Sequence, residues 1–239
     1  MLADLHIHSC LSPCASLEMS PRLIAATAAA KGIRLAALTD HNSARNTPAF
    51  AETCRTVGIQ PLFGMEVTTV EECHVLTIFD KLEQAAAMEQ WVAASQPREP
   101  LNLKFFSDQP VVDAEENILE MIDYYLGAAT THSIESVQRQ THKFDGIFIP
   151  SHINRAAFSV ESQLGFLPPG TYDAIEVQPQ VLKQYQRRYP HLPVITASDA
   201  HHPDQIGAAP IELPLSPPVT IDRLRTALAT LALQKNADC

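Results

Sequence analysis

At 239 residues, with 46% hydrophobic and 18% charged side chains, the chain can bury a substantial core and has the size of one α/β barrel. Its formal net charge of −10 argues against nonspecific binding to nucleic acid or to an anionic membrane, although bound metal ions would reverse that field locally. No apolar run approaches the ~20 residues of a membrane span, and five cysteines without a Cys-x-x-Cys pair read as reduced thiols. We therefore expect a cytoplasmic protein without a leader, and residues 1–239 as one domain.

The chain opens on Asp4-Leu5-His6-Ile7-His8-Ser9, an apolar strand pattern that carries two histidines on alternate positions and so on one face. Ser20-Pro21 reads as a cap and first-turn proline, and Gly32 as the stop of that helix. A short buried strand follows at residues 35–39. Thr47-Pro48 and Gly58 repeat the start and stop signals, and residues 61–69 form the next strand. This β-α-β-α-β opening implies parallel strands with right-handed crossovers.

Too few residues separate Val67 from Val75 for a parallel crossover, so residues 66–79 are expected to be a hairpin turning near 70–72. That hairpin brings His74 beside Glu66. Residues 81–94 read as a helix with Trp91 packed inside, 96–109 as an unassigned excursion, and 113–126 and 133–143 as helices. Short strands are expected at 146–150, 174–177 and 194–197, and a closing helix from 220 to about 234.

Histidines and carboxylates recur at the ends of these strands. His6, His8, His41, Glu66, His74, His152, Asp199 and His201 supply six imidazoles and two carboxylates, a set suited to zinc, manganese or iron. Eight ligands exceed the needs of one tetrahedral ion. Two or three divalent ions are therefore expected, with Glu66 placed to bridge two. His132, His142, His191 and His202 are read as structural or solvated, because a lone histidine is more often a packed or surface residue than a ligand. Cys10, Cys54, Cys73 and Cys239 are read as packing residues or an exposed tail thiol.

The ordered set His-x-His, Thr-Asp-His, Gly-x-Glu, Cys-His-Val-Leu, Pro-x-His and Ser-Asp-Ala-His, spanning residues 4–207, resembles the PHP (polymerase and histidinol phosphatase) family of phosphoesterases. The resemblance implies a distorted, TIM-like (β/α)7 barrel with a trinuclear site at the strand rim. It places His6, His8, Glu66 and Asp199 on a first ion. His41 and His201 go to a second ion, and Glu66, His74 and His152 to a third. The second ion takes a further ligand from the loop after His8, commonly Asp or His in the family. Here that loop reads Ser9-Cys10-Leu11-Ser12-Pro13-Cys14, so Cys14 is the candidate.

The implied reaction is attack of a hydroxide held between ions on a small phosphomonoester, with Asp199 and His201 in the catalytic group. Arg155 is the best phosphate clamp and Arg45 a lesser one, because guanidinium meets phosphate bidentately. Asp40 is expected to orient a ligating histidine. A 3′–5′ exonuclease, a noncatalytic metal-binding scaffold and an amidohydrolase are the competing readings. The absence of a basic stripe, the retention of eight ligands and the lack of a clear strand lysine weigh against them in turn.

Overall fold

β1 (Leu2–Ile7) is buried at five of its six positions, the pattern of a strand covered on both faces. In the computed structural model, which describes residues 1–234, this strand lies among α1 (Pro21–Ala30), β2 (Leu35–Leu38), α2 (Thr47–Val57) and β3 (Gln60–Thr68). The start of α1 and the stop of α2 act as read, whereas Thr47 lies inside α2 and Asn46 takes the cap position without a side-chain cap bond. The Ser20 side chain accepts from Leu23 N and Pro21 occupies the first turn. Gly58 ends α2 in the left-handed conformation, its N–H returning to Cys54 O.

β1, β2 and β3 are parallel, and β3 turns back into β4 (His74–Phe79), with Thr68 opposite His74 and Glu66 opposite Leu76. After α3 (Leu82–Ala93) come β5 (Pro110–Val112), β6 (Ile118–Met121), α4 (Ile134–Lys143) and β7 (Ile147–Pro150), which pairs antiparallel with β4. The remainder holds α5 (Val160–Leu164), β8 (Ile175–Glu176), α6 (Leu182–Arg188), β9 (Val194–Ile195), β10 (Ile211–Glu212) and α7 (Ile221–Gln234). Trp91 is half-buried at the core edge, its ring flat on His132 with centroids 3.5 Å apart. Among the described residues no helix is long and apolar enough to cross a membrane.

The main sheet runs β10-β1-β2-β3-β4-β7 and curls, while β8 and β9 form a separate parallel pair. The expected (β/α)7 barrel is therefore not reproduced as one continuous ladder. β8 and β9 are two residues each, too short to extend the pairing. Scattered contacts take its place: Ile153 N to Glu176 O at 2.9 Å and Asp173 N to Phe148 O at 3.2 Å beside β7, and His8 N to Ala200 O at 3.0 Å beside β1. We call these two places seams.

Period-two alternation positions the site. Leu62 on β3, Leu76 and Ile78 on β4, and Ile147 and Ile149 on β7 share one core cluster, closed below by Leu224 and Leu228 of α7. Glu66 and His74 follow on the same strand faces at the rim. Gly64, between Leu62 and Glu66, is required there because a Cβ would collide with the Thr77 backbone carbonyl of β4.

The helix expected at 113–126 is instead the β5–β6 ribbon. Asp113 accepts hydrogen bonds from Glu115 N, Asn117 N and Asn117 Nδ2 at 2.8–3.0 Å, and Glu116 sits at φ +70°. That side-chain turn outcompetes helical pairing. β10, α5 and α6 carry no signal singled out in the sequence. Cys10, Cys54 and Cys73 are buried free thiols and Cys14 is an exposed one; Cys239 lies outside the described residues.

Candidate metal centre

His6 Nε2 and His8 Nε2 lie 3.0 Å apart at the end of β1. Glu66 enters from β3, its Oε1 3.4 Å from His6 and its Oε2 3.4 Å from His8. Asp199, just past β9, places Oδ1 3.3 Å from both imidazoles. The same Glu66 meets His41 and His74 at 3.3 Å and His152 at 3.1 Å, so one buried carboxylate faces five histidines. His201 stacks on His8 with ring centroids 4.3 Å apart.

The far side of three rings is already committed. His6 Nδ1 meets Glu176 Oε2 at 2.8 Å, and His201 Nδ1 meets the Asp199 carbonyl at 2.7 Å. His8 Nδ1 meets Ser12 Oγ at 2.9 Å, and that hydroxyl donates to Asp40 Oδ1 at 2.7 Å. Asp40 also accepts from Ser9 N and Ser9 Oγ, so it orients His8 through the loop rather than by touching it. With Nδ1 carrying the hydrogen, each Nε2 presents a bare lone pair to the cluster.

Two such nitrogens at 3.0 Å are compatible only with a proton or a metal cation between them. Donor separations of 3.0–3.4 Å approach the edges of a tetrahedron around an ion with 2.0–2.2 Å bonds, about 3.3–3.6 Å. His41 Nδ1, His74 Nδ1, His152 Nδ1 and Asp199 Oδ1 are buried without a hydrogen-bond partner. The residues present therefore fit a polynuclear cation cluster.

Three donor groups converge: His6-His8-Glu66-Asp199, His8-His41-His201, and His41-Glu66-His74. The first is the expected set. In the second, His8 stands where the loop ligand was expected. In the third, His41 joins Glu66 and His74, with His152 against the other Glu66 oxygen. Cys14 lines the adjacent cavity but stands outside all three groups.

Burial would raise the Glu66 carboxyl, but the neighbouring His74 and His6 and the hydrogen bond from His152 hold it well below its usual range. Burial likewise opposes ionisation of Asp199, yet His6 and His8 hold it low. His6 is raised despite its burial by Glu176, Glu66 and Asp199. Burial and like neighbours push His41 down, and His201 to about 4. The imidazoles thus cannot all be protonated, and neutral rings remain available as ligands.

His152 (φ +28°) and Asp199 (φ +48°) adopt left-handed backbone that non-glycine residues rarely take. Both are cluster residues, so the rim stores strain where its donors are aimed. A cavity of about 550 Å³ opens beside them, lined by Arg155, Gln178, Ser198, His202 and Gln205 among others. Arg155 Nη1 reaches Asp199 Oδ2 at 3.0 Å. Arg45 is instead paired with Glu120 on the β5–β6 ribbon and does not line the cavity.

Sequence reading missed Glu176 and Ser12. A charge inside the apolar run Ala174-Ile175-Glu176-Val177 was the available signal, since a buried carboxylate demands a partner. Ser12 carried none, because its role arises only where the loop folds over Asp40.

The family model for the PHP domain matches residues 4–187. No curated protein matches. Among solved structures, the lesion-specific endonuclease Q of Pyrococcus furiosus superposes with a TM-score of 0.71 at 19% identity, over 96% of this chain and 56% of that one. This chain thus spans little more than half of that enzyme's length. A Bifidobacterium adolescentis protein, assigned provisionally as a metal-dependent phosphoesterase, gives 0.59 at 17% identity over 95% of both chains. An amidohydrolase from Chromobacterium violaceum with bound sulfate gives 0.59 at 18% identity, over 95% and 96% of the two chains. At these identities the likeness establishes the fold.

Proposed function

The chain belongs to the PHP domain family of metal-dependent hydrolases, and on that premise we propose that it hydrolyses a small phosphomonoester. The observation that carries this reading is the convergence of seven ligand-type side chains, with His152 against Glu66 as an eighth, beside a polar cavity whose rim holds Arg155. His6, His8, Glu66 and Asp199 would hold one cation and His41 and His201 a second, with His8 or Cys14 completing it. Glu66, His74 and His152 would share a third. Bound divalent ions supply Lewis acidity toward the phosphoryl oxygens and acidify water.

The chain's own residues do the rest. Arg155 exchanges Asp199 for two phosphate oxygens, orienting the ester. Asp40, Ser12 and Glu176 keep imidazole nitrogens aimed inward. Ser198, Gln178 and Gln205 offer polar contacts to the alcohol portion of the substrate. A cavity of about 550 Å³ suits a metabolite-sized ester. The free thiols Cys10, Cys14, Cys54 and Cys73 support a reducing, cytoplasmic compartment.

A second reading is hydrolysis of a nucleic-acid phosphodiester, favoured by the similarity to an endonuclease at a TM-score of 0.71. The charge of −10 does not exclude it, because cations would dominate the field at the rim. Turnover of the metal-loaded protein on phosphomonoesters, on single-stranded DNA and on duplex bearing an abasic lesion separates the readings. Cleavage of DNA with no release of phosphate from monoesters would reverse the preference. A metal-loaded protein inert toward both would be a scaffold.

A further inference from the structure

Glu176 sits on a two-residue strand whose neighbours Ile175 and Val177 are buried and apolar, and it is itself almost fully enclosed. The backbone around it is pinned from two directions, by β9 and by Ile153. Glu176 pairs with Ile195 on β9, its carbonyl accepts from Ile153 N at 2.9 Å, and Val177 N donates to Ile195 O at 3.0 Å. Among the described residues its side chain has one hydrogen-bond partner, His6 Nδ1 at 2.8 Å. A carboxylate in such surroundings is costly unless a strong donor meets it.

The His6 ring then links this carboxylate to the donor cluster. Its opposite nitrogen faces His8 Nε2, Asp199 Oδ1 and Glu66 Oε1 at 3.0, 3.3 and 3.4 Å. Glu176 is in none of the three donor groups, so its place is behind the ligand rather than among the ligands. Comparison within the site is informative. His8 is backed by a neutral hydroxyl, Ser12, and His201 by a peptide carbonyl. Of these three rings, only His6 is backed directly by a carboxylate.

We infer that Glu176 is a positioning residue for the cation held by His6, His8, Glu66 and Asp199: it fixes the Nδ1–H tautomer of His6 and strengthens Nε2 as a donor. The inference rests on the proposed metal centre. It assigns the tightest cation affinity to the group containing His6, because a carboxylate partner raises the basicity of the imidazole it holds.

The test is metal binding, measured apart from turnover. Apoprotein of the wild type, Glu176→Gln and Glu176→Ala is titrated with Zn²⁺ against a chromophoric chelator, with bound metal counted by elemental analysis. Glu176→Ala should weaken the tightest class of ion about 10- to 100-fold and leave the weaker classes within about threefold. Nitrogen NMR of ¹⁵N-histidine-labelled protein should show the Nδ1–H form of His6 in the wild type and its loss in Glu176→Ala. Glu176→Gln keeps the side-chain volume and carries the test should the alanine variant not fold; its affinity should fall between the two.

Unchanged affinity for every ion class, with an unchanged His6 tautomer, would overturn the inference. Weakened ions of the second or third group alone would overturn it too. A wild type that binds no ion at all is a different result, and removes the proposed function instead.

Discussion

Arg155 crosses the mouth of the cavity to Asp199, its Nη1 3.0 Å from Oδ2, while the other oxygen of Asp199 stands 3.3 Å from both His6 and His8. One carboxylate therefore faces the donor cluster with one atom and Arg155, the proposed phosphate clamp, with the other. Arg155 is half-exposed, so the pair itself contributes little to stability, on the order of 0–1 kcal/mol. Its value lies in what can replace Asp199 as its partner.

Arg155→Ala should leave the melting temperature nearly unchanged and lower kcat/KM for phosphomonoesters about 10- to 100-fold, the loss of roughly 1.5–3 kcal/mol of charge-assisted hydrogen bonding. Arg155→Lys should recover only part of it, since an ammonium lacks the planar fork. Steady-state kinetics with a chromogenic phosphate ester measures both. Equal kcat/KM in wild type and Arg155→Ala would remove the clamp role.

His8→Ala takes away a donor shared by two groups, and Asp199→Ala one that joins the His6-His8-Glu66 group to Arg155. Each should reduce phosphate release below detection while circular dichroism retains the α/β signature. A folded variant with wild-type turnover would contradict the assignment.

Chelation should lower thermal stability as well as activity. Removing an ion present at about 100 times its dissociation constant costs about 2.7 kcal/mol, a melting shift of about 5–10 °C for a chain of this size. Scanning calorimetry with and without EDTA reads the shift directly. Restoration by added Mn²⁺ or Zn²⁺, but not by Ca²⁺, would match the imidazole-rich donor set.

Gly64→Ala should be among the most damaging single changes, at about 3 kcal/mol or more, because the new methyl group meets the Thr77 carbonyl within a central strand pair. Urea unfolding gives the number where the protein stays soluble. Loss of bound metal should accompany the loss of stability, since Glu66 lies two residues along the same strand.

Asp173 joins three elements. Its Oδ2 accepts from His142 Nε2 and Phe148 N, and its Oδ1 from Arg225 Nε of α7, all at 2.8–2.9 Å. Burial alone would raise this carboxyl, but those donors hold it below 3.8. The folded form therefore binds its proton less readily than the unfolded chain. The resulting stability is present above about pH 4 and disappears as pH falls through the lowered folded value. Asp173→Asn should cost roughly 2 kcal/mol at neutral pH, judged from hydrogen bonds to a charged group, and progressively less below pH 4. A cost independent of pH would show that the charge is immaterial.

Much of the site was legible because its logic is local. His6-Ile7-His8 declares itself through strand periodicity, and the shortness of the link between Val67 and Val75 forces the hairpin that brings His74 to Glu66. What escaped depends on tertiary encounters. Ser12 matters only because Asp40, 28 residues away, folds against its loop, and Glu176 only because β8 passes behind His6. The helix expected at 113–126 failed for a different reason, as apolar residues spaced for a helix also fit a twisted ribbon once Asp113 captures the turn. The strands expected at 174–177 and 194–197 form as β8 and β9, but they pair with each other rather than with the main sheet, a tertiary outcome that local pattern does not carry.

The seam between β9 and β1 gives the cluster a second consequence. There the backbone bond from His8 N to Ala200 O is joined by bonds from Ser198 to Asp4 and to the His6 carbonyl, while His6 and His8 on one bank and Asp199 on the other face each other across the gap. The Asp199 carboxylate and the two imidazoles attract each other across it, and a cation held by both banks would tie them further. The seam in the protein wall and the donor cluster are thus the same place, so an ion bound there would fasten the chain's first strand to its late segment.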